Sequence, residues 1–228
     1  MIHPFLRKAA NAPPDSVKRH LLVVAAVEAI IGRPVVLVGG AAVNVVTGTY
    51  YPTDLDLVAS VSAADREKLV SAGFDWAGVG HRHLSLTLPD DEVILVEFPD
   101  SVLDTVFPPE QIEVDPGVFV SVISLNDLVM DRLRQATDGT IVTLDAAIDL
   151  TSVAYASIDW SWLEERSTLP ELTAIGVPDA LVAVRRGAKR RLRDGGQSIL
   201  APMTTAEAQS MRGAQAITEV PEDQGPVG

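Results

Sequence analysis

Residues 34–60 constrain the fold more than any other stretch of the chain. Val35-Val36-Leu37-Val38 is a β-branched apolar run of the kind that forms a buried strand, and Gly39-Gly40 ends it. Ala41-Ala42-Val43-Asn44-Val45-Val46 can continue as a short helix. A helix opening on Gly40 offers bare backbone N–H groups, with no side chain to hold a phosphate away. Thr53-Asp54-Leu55-Asp56-Leu57-Val58 then reads as a second strand. Alternation along a strand puts Asp54 and Asp56 on one face and Leu55 and Leu57 on the other. Paired carboxylates repel and lose solvation, so the arrangement calls for positive charge between them. A divalent cation with oxygen ligands, Mg²⁺ above all, meets that need. The plainer reading is a tight turn followed by a solvent-facing acidic strand, for which flanking apolar strands are a costly setting.

Further along, Val93-Ile94-Leu95-Val96-Glu97-Phe98 places one acid inside an apolar strand. A charge there is expensive unless it is paired, bonded to neighbouring backbone or bound to metal.

Strand, Gly-Gly, helix and Asp-x-Asp on the next strand resemble the active-site signature of the DNA polymerase β-like nucleotidyltransferases. The resemblance rests on Gly39, Gly40, Asp54 and Asp56 and their spacing, and it covers roughly residues 20–150. It implies an α/β fold, a mixed sheet with flanking helices; the rest of the chain reads as a mainly helical C-terminal region that no strong motif ties to the family. It also implies an NTP substrate, Mg²⁺ (or Mn²⁺) on Asp54 and Asp56, and phosphate cradled by Gly39 and Gly40. A third carboxylate belongs on a later strand. Glu97 stands in that place as a metal ligand and as the base for the acceptor hydroxyl, with Asp100 as a second candidate. Two positions depart from the family. Ala41 stands where a Ser or Thr often meets phosphate, and Tyr50-Tyr51-Pro52 stands where many relatives carry an arginine. The departures imply altered donor binding or a domain that no longer transfers anything.

The remaining elements follow from local signals. Residues 1–14 read as a loose lead-in and 15–31 as a capped amphipathic helix. Residues 62–73 read as a second helix, 81–88 and 93–98 as strands, and the proline- and acid-rich 99–116 as a connector. Residues 117–123 read as a strand and 124–134 as a helix with Ser124 at its N-cap. Helix is expected again near 144–156 and across 157–194, and the polar end of the chain reads as disordered. The expected division is an α/β domain over 1–123, a helical domain over 124–200 and a tail over 201–228.

Ser124-Leu125-Asn126-Asp127-Leu128-Val129-Met130-Asp131-Arg132-Leu133 resembles a segment of the bacterial nucleotidyltransferases of abortive-infection and toxin–antitoxin systems. In those relatives a lysine on this helix and a later aspartate are functional. Here the helix has no lysine. Arg132 and Arg134 are the candidates to clamp a triphosphate, or else plain exposed helix charges. Asp145 and Asp149 are the candidates for the later aspartate. The resemblance implies transfer of a nucleotide to RNA, tRNA included, and a cognate antitoxin. A small molecule such as an aminoglycoside, a protein hydroxyl, or a non-catalytic interaction module of a toxin–antitoxin pair are the alternatives.

Charge and composition narrow the rest. A net charge of −13 argues against a general nucleic-acid-coating protein. One window runs the other way: Arg185, Arg186, Lys189, Arg190, Arg191 and Arg193 sit within nine residues that hold no acid. It is a solvated helix face or a site for a polyanion such as tRNA or an acidic protein. The absence of cysteine excludes disulfides, thiolate metal sites and cysteine nucleophiles, and fits a cytoplasmic protein. Leu21 to Ile31 is too short to cross a bilayer and contains Glu28. His81 and His83 share a strand face without a third soft ligand, so they read as substrate contacts before they read as a zinc site. Gly-x-Gly-x-x-Gly, Walker A and Gly-x-Ser-x-Gly patterns are missing.

Overall fold

The helix that anchors the sheet, α2 (Val17–Ile31), starts where Ser16 accepts a hydrogen bond from the Arg19 backbone N–H and stops at Gly32 in the left-handed region. Leu21 to Val27 is buried without a break, so this helix lies inside the molecule. Its one interior acid is used structurally, because Glu28 accepts the Val35 backbone N–H at 3.0 Å and ties the helix to the strand that follows. The computed structural model describes residues 3–14, 16–48, 54–76 and 83–194. Asp15 and the tail beyond Asp194 lie outside the described residues.

The expectation of a loose lead-in is corrected. Pro4–Asn11 forms helix α1, with Pro4 in the first turn and the His3 side chain as its N-cap, and buries Leu6 and Ala9. Arg19, only 1% exposed, fastens the turn after it by donating to the Ala12 carbonyl and to the carboxylates of Asp90 and Glu92.

Seven strands form one mixed sheet in the order β3-β4-β5-β2-β1-β7-β6 among the described residues. These are β1 (Val36–Val38), β2 (Asp54–Val58), β3 (Asp75–Trp76), β4 (His83–Thr87), β5 (Val93–Glu97), β6 (Glu110–Asp115) and β7 (Val118–Val122). β1 pairs antiparallel with β2 and parallel with β7, and β2 pairs parallel with β5. Two strands depart from the sequence reading. β3 is a two-residue edge, and β6 lies inside the stretch read as a connector. Proline and acid mask a real alternation there. Val114 is buried while Glu110, Gln111 and Glu113 face outwards, and the strand pairs with β7 through a tight turn at Gly117.

Helices α3 (Gly39–Thr47), α4 (Ala63–Ser71), α5 (Leu125–Ala136) and α6 (Ile141–Val153) are followed by α7 (Trp160–Ser167), α8 (Pro170–Ala174) and α9 (Val177–Arg193). Ser62 and Asp65 form a reciprocal capping box on α4, and Ser124, Thr140 and Asp159 cap α5, α6 and α7. α9 crosses α6 at Gly187, where a Cβ would come within 2.5 Å of Ile148. No helix among the described residues is long and apolar enough to cross a membrane.

Arg191, 8% exposed, sits between α9 and α6 and pairs with Asp149 and, at 3.6 Å, with Asp145. Arg191→Ala takes the cation away from Asp145, itself 8% exposed in the helix junction. It is expected to cost about 3 kcal/mol, read as a lower urea midpoint with an unchanged m-value.

Candidate functional site

β2 presents its carboxylates as the alternation requires. Asp54 and Asp56 are half-buried on one face while Leu55 and Leu57 are buried on the other. Asp56 stands opposite Val38 on β1 and Glu97 on β5, and Glu97 stands opposite His83 on β4. One row across the sheet thus reads Val38, Asp56, Glu97, His83. Carboxylate oxygens of Asp54, Asp56 and Glu97 lie within 4.8 Å of one another, so the trio could hold a metal ion. His83 Nδ1 is 3.6 Å from Glu97 Oε2 with about half its side chain exposed. His81 and Tyr50-Tyr51-Pro52 lie outside the described residues.

The electrostatics of the trio match a cation site. Burial first, then the Asp54 and Glu97 carboxylates, with Arg132 pulling the other way, push the Asp56 carboxyl up to about 6. A carboxylate held so far above its ordinary range has little positive charge nearby, and a bound divalent ion would supply it.

The Gly-Gly turn is built into the same contact. Gly39 has φ +66°, and a Cβ on it would lie 1.8 Å from Asp56 Oδ2. The glycine therefore gives both a left-handed backbone and the space that Asp56 occupies. α3 starts at Gly39 itself, with Val38 as an N-cap whose side chain cannot cap it, so among the described residues its first N–H groups have no side-chain cap. Ala41 is 2% exposed. The position where the resemblance calls for a hydroxyl is packed into the interior here.

Gly39 and Asp56 open onto a cleft of about 440 Å³ whose other walls are the loop after β5 and helices α5, α7 and α8. Arg132, Arg134 and Arg166 line it. Arg132 donates to Asp131 at 2.7 Å, and Arg134 is exposed. Arg166 and Trp162 were not found by sequence reasoning. They come from a helix with no motif, and only the packing of α7 brings them to the cleft. Asp127, 7% exposed, holds one rim by accepting the backbone N–H groups of Val106 and Phe107 at 3.1 and 3.0 Å.

Other candidates go elsewhere. Asp145 and Asp149 are engaged by Arg191 in the α6–α9 junction, which corrects their reading as a later functional aspartate. Asp100 lines the cleft outside the carboxylate trio, and its side chain caps its own turn by accepting Ser101 N and Val102 N. Arg191 and Arg185 leave the set available to a polyanion. Arg185 pairs with Glu164 and lies 4.7 Å from the Trp160 ring centroid.

No family model and no curated protein matches the chain. Among solved structures it superposes on an antigenic nucleotidyltransferase-like protein from Paracoccidioides brasiliensis. That match has a TM-score of 0.57 at 18% identity, over 75% of this chain and 93% of that one. A second match, ANT(2")-Ia in complex with adenylyl-2"-tobramycin, covers 76% of this chain and 97% of that one at 16% identity. Its TM-score of 0.34 is too low to define a shared architecture. The Gly-Gly turn, the Asp-x-Asp strand and the sheet around them therefore lie in a nucleotidyltransferase fold.

Proposed function

We propose that the protein is a Mg²⁺-dependent nucleotidyltransferase that moves NMP from an NTP to a hydroxyl acceptor. The observation that carries this reading is the convergence of Asp54, Asp56 and Glu97 beside the uncapped start of α3, at one end of a cleft lined by arginines. Asp54, Asp56 and Glu97 are the proposed ligands of Mg²⁺, with Mn²⁺ as a substitute. A bound divalent ion supplies charge neutralisation on the triphosphate and on the departing pyrophosphate. Backbone N–H groups at Gly39 and Gly40 donate to phosphate oxygens. Arg132, Arg134 and Arg166 hold the triphosphate from the opposite wall. Glu97 accepts the proton of the acceptor hydroxyl as its oxygen bonds to the α-phosphorus and the α-phosphorus bond to the pyrophosphate oxygen breaks.

RNA is the favoured acceptor, in a toxin-type enzyme with a cognate antitoxin, on the strength of the toxin-like segment at Ser124 to Leu133 and the cations on α9. A small cationic acceptor of the aminoglycoside kind is a second reading. It is favoured by the exposed carboxylates of Asp100, Asp104 and Glu171 along the cleft.

Calorimetric titration with a non-hydrolysable NTP, with and without Mg²⁺, tests the site. Mg²⁺-dependent binding is expected. No binding in either condition, together with tight association to another protein, would place the chain among non-catalytic interaction modules. Arg166→Ala should weaken NTP binding by roughly 10- to 100-fold, the worth of one charge-assisted bond, and leave NMP binding within twofold. Equal losses for both nucleotides would remove Arg166 from the triphosphate.

A further inference from the structure

Helix α9 divides its positive charge between its two sides. Arg185 and Arg191 turn inwards to Glu164, Asp145 and Asp149. Arg186, Lys189, Arg190 and Arg193 are exposed. Their spacing of i, i+3, i+4 and i+7 places all four on one helix face, about 10 Å long at 1.5 Å per residue. Among the described residues Arg186, Lys189 and Arg190 have no ion-pair partner, and Arg193 reaches only the exposed Asp194 at 3.4 Å. No acid falls between the four. Asp179 lies in the first turn and Asp194 after the end. A solvated helix face ordinarily mixes signs, and this one is single-signed in a chain of net charge −13.

We propose that this face of α9 is a docking ridge for the phosphodiester backbone of RNA. The inference rests on the preceding functional reading only in naming RNA as the acceptor; the binding itself needs no chemistry. Three guanidinium groups and one ammonium suit a row of phosphates, each guanidinium making two parallel bonds. A membrane surface fits less well. The large apolar residues exposed on this helix are Val182 and Leu192, with no aromatic group to enter an interface. An acidic protein partner also fits less well, because the ridge has no aromatic anchor and only Val182, one turn before Arg186, as a large exposed apolar residue on its face, too little for an interface core.

The test is fluorescence anisotropy of labelled total tRNA with the full chain, without NTP, from 50 to 200 mM KCl. Four phosphate contacts predict a log–log salt slope of about −3 and a loss of roughly 50-fold in affinity across that range. The variant R186Q/K189Q/R190Q/R193Q should bind at least tenfold more weakly at 50 mM KCl with a nearly flat salt slope. Lys189→Gln alone should reduce the slope by about 0.7. Circular dichroism checks that each variant is folded. Unchanged binding by the fourfold variant would overturn the ridge. Equal affinity for polyglutamate would assign the face to an acidic protein, and equal affinity for phosphatidylserine vesicles to a membrane; either overturns the RNA assignment. Ridge-dependent binding without any nucleotide transfer would sink the transferase reading alone. Transfer to RNA that is insensitive to the fourfold variant would sink the ridge alone.

Discussion

Asp56→Asn is expected to make the metal-free protein more stable at pH 7 while removing the proposed nucleotidyl transfer. In the folded chain the Asp56 carboxyl is pushed up to about 6 from 3.8, first by burial and then by Asp54 and Glu97. The folded state thus holds the proton more tightly than the unfolded one. Its contribution is fully favourable below about pH 4 and is lost as pH rises through 6. Above that it is a constant penalty, on the order of 2–3 kcal/mol for a rise of this size. Asparagine carries no charge to desolvate, so thermal melts of the variant should lack this fall between pH 4 and 6. Mg²⁺ should reverse the order by raising the melting temperature of the wild-type chain and leaving Asp56→Asn unmoved. Transfer should drop by about 10²–10³-fold or more, the scale for removing one group that stabilises transition-state charge. A variant less stable than wild type at pH 7 without metal would show that Asp56 already has a compensating partner.

Gly39→Ala should be the other severe change, and for a different reason. The left-handed backbone at Gly39 costs an L-residue about 1–2 kcal/mol. The new methyl would also meet Asp56 Oδ2 at 1.8 Å, Cγ at 2.7 Å and Cβ at 2.9 Å. Turning one flexible atom aside cannot relieve that contact, since the whole Asp56 side chain must leave the trio or the strand must shift. Both losses are therefore expected together: about 2 kcal/mol or more of stability, read by urea denaturation, and the Mg²⁺-dependent rise in melting temperature. Gly40→Ala makes an informative contrast. Gly40 lies within α3 without a positive φ, so this change should spare Mg²⁺ binding. If Gly39→Ala still took up Mg²⁺ as the wild-type chain does, the turn and the metal site would be independent.

Much of this arrangement was legible because it is local. The order strand, Gly-Gly, helix, Asp-x-Asp lies within one stretch, and alternation alone places Asp54 and Asp56 on a common face. Register then brings Glu97 beside Asp56, a pairing of β2 with β5 that the isolated acid at Glu97 hinted at. Features that depend on long-range packing were hidden. Nothing near Trp162 or Arg166 announces a cleft, and nothing near Asp145 and Asp149, candidates for a later functional aspartate, announces that α9 delivers Arg191 to them. The basic window misled in the same way, since a run of cations does not say which ones the helix turns inwards. At β6 composition outweighed pattern, because the prolines and acids of 99–116 obscured the alternation around Val114.

Nucleotide transfer is the activity that decides the proposed function. The protein is incubated with each α-labelled NTP, Mg²⁺ or Mn²⁺ and total tRNA, beside Asp56→Asn. The predicted result is label in RNA, released with pyrophosphate, for the intact chain only. Label on the protein itself or on an added aminoglycoside would keep the transferase and replace its acceptor. No label on any acceptor, with no Mg²⁺-dependent NTP binding, would contradict the account.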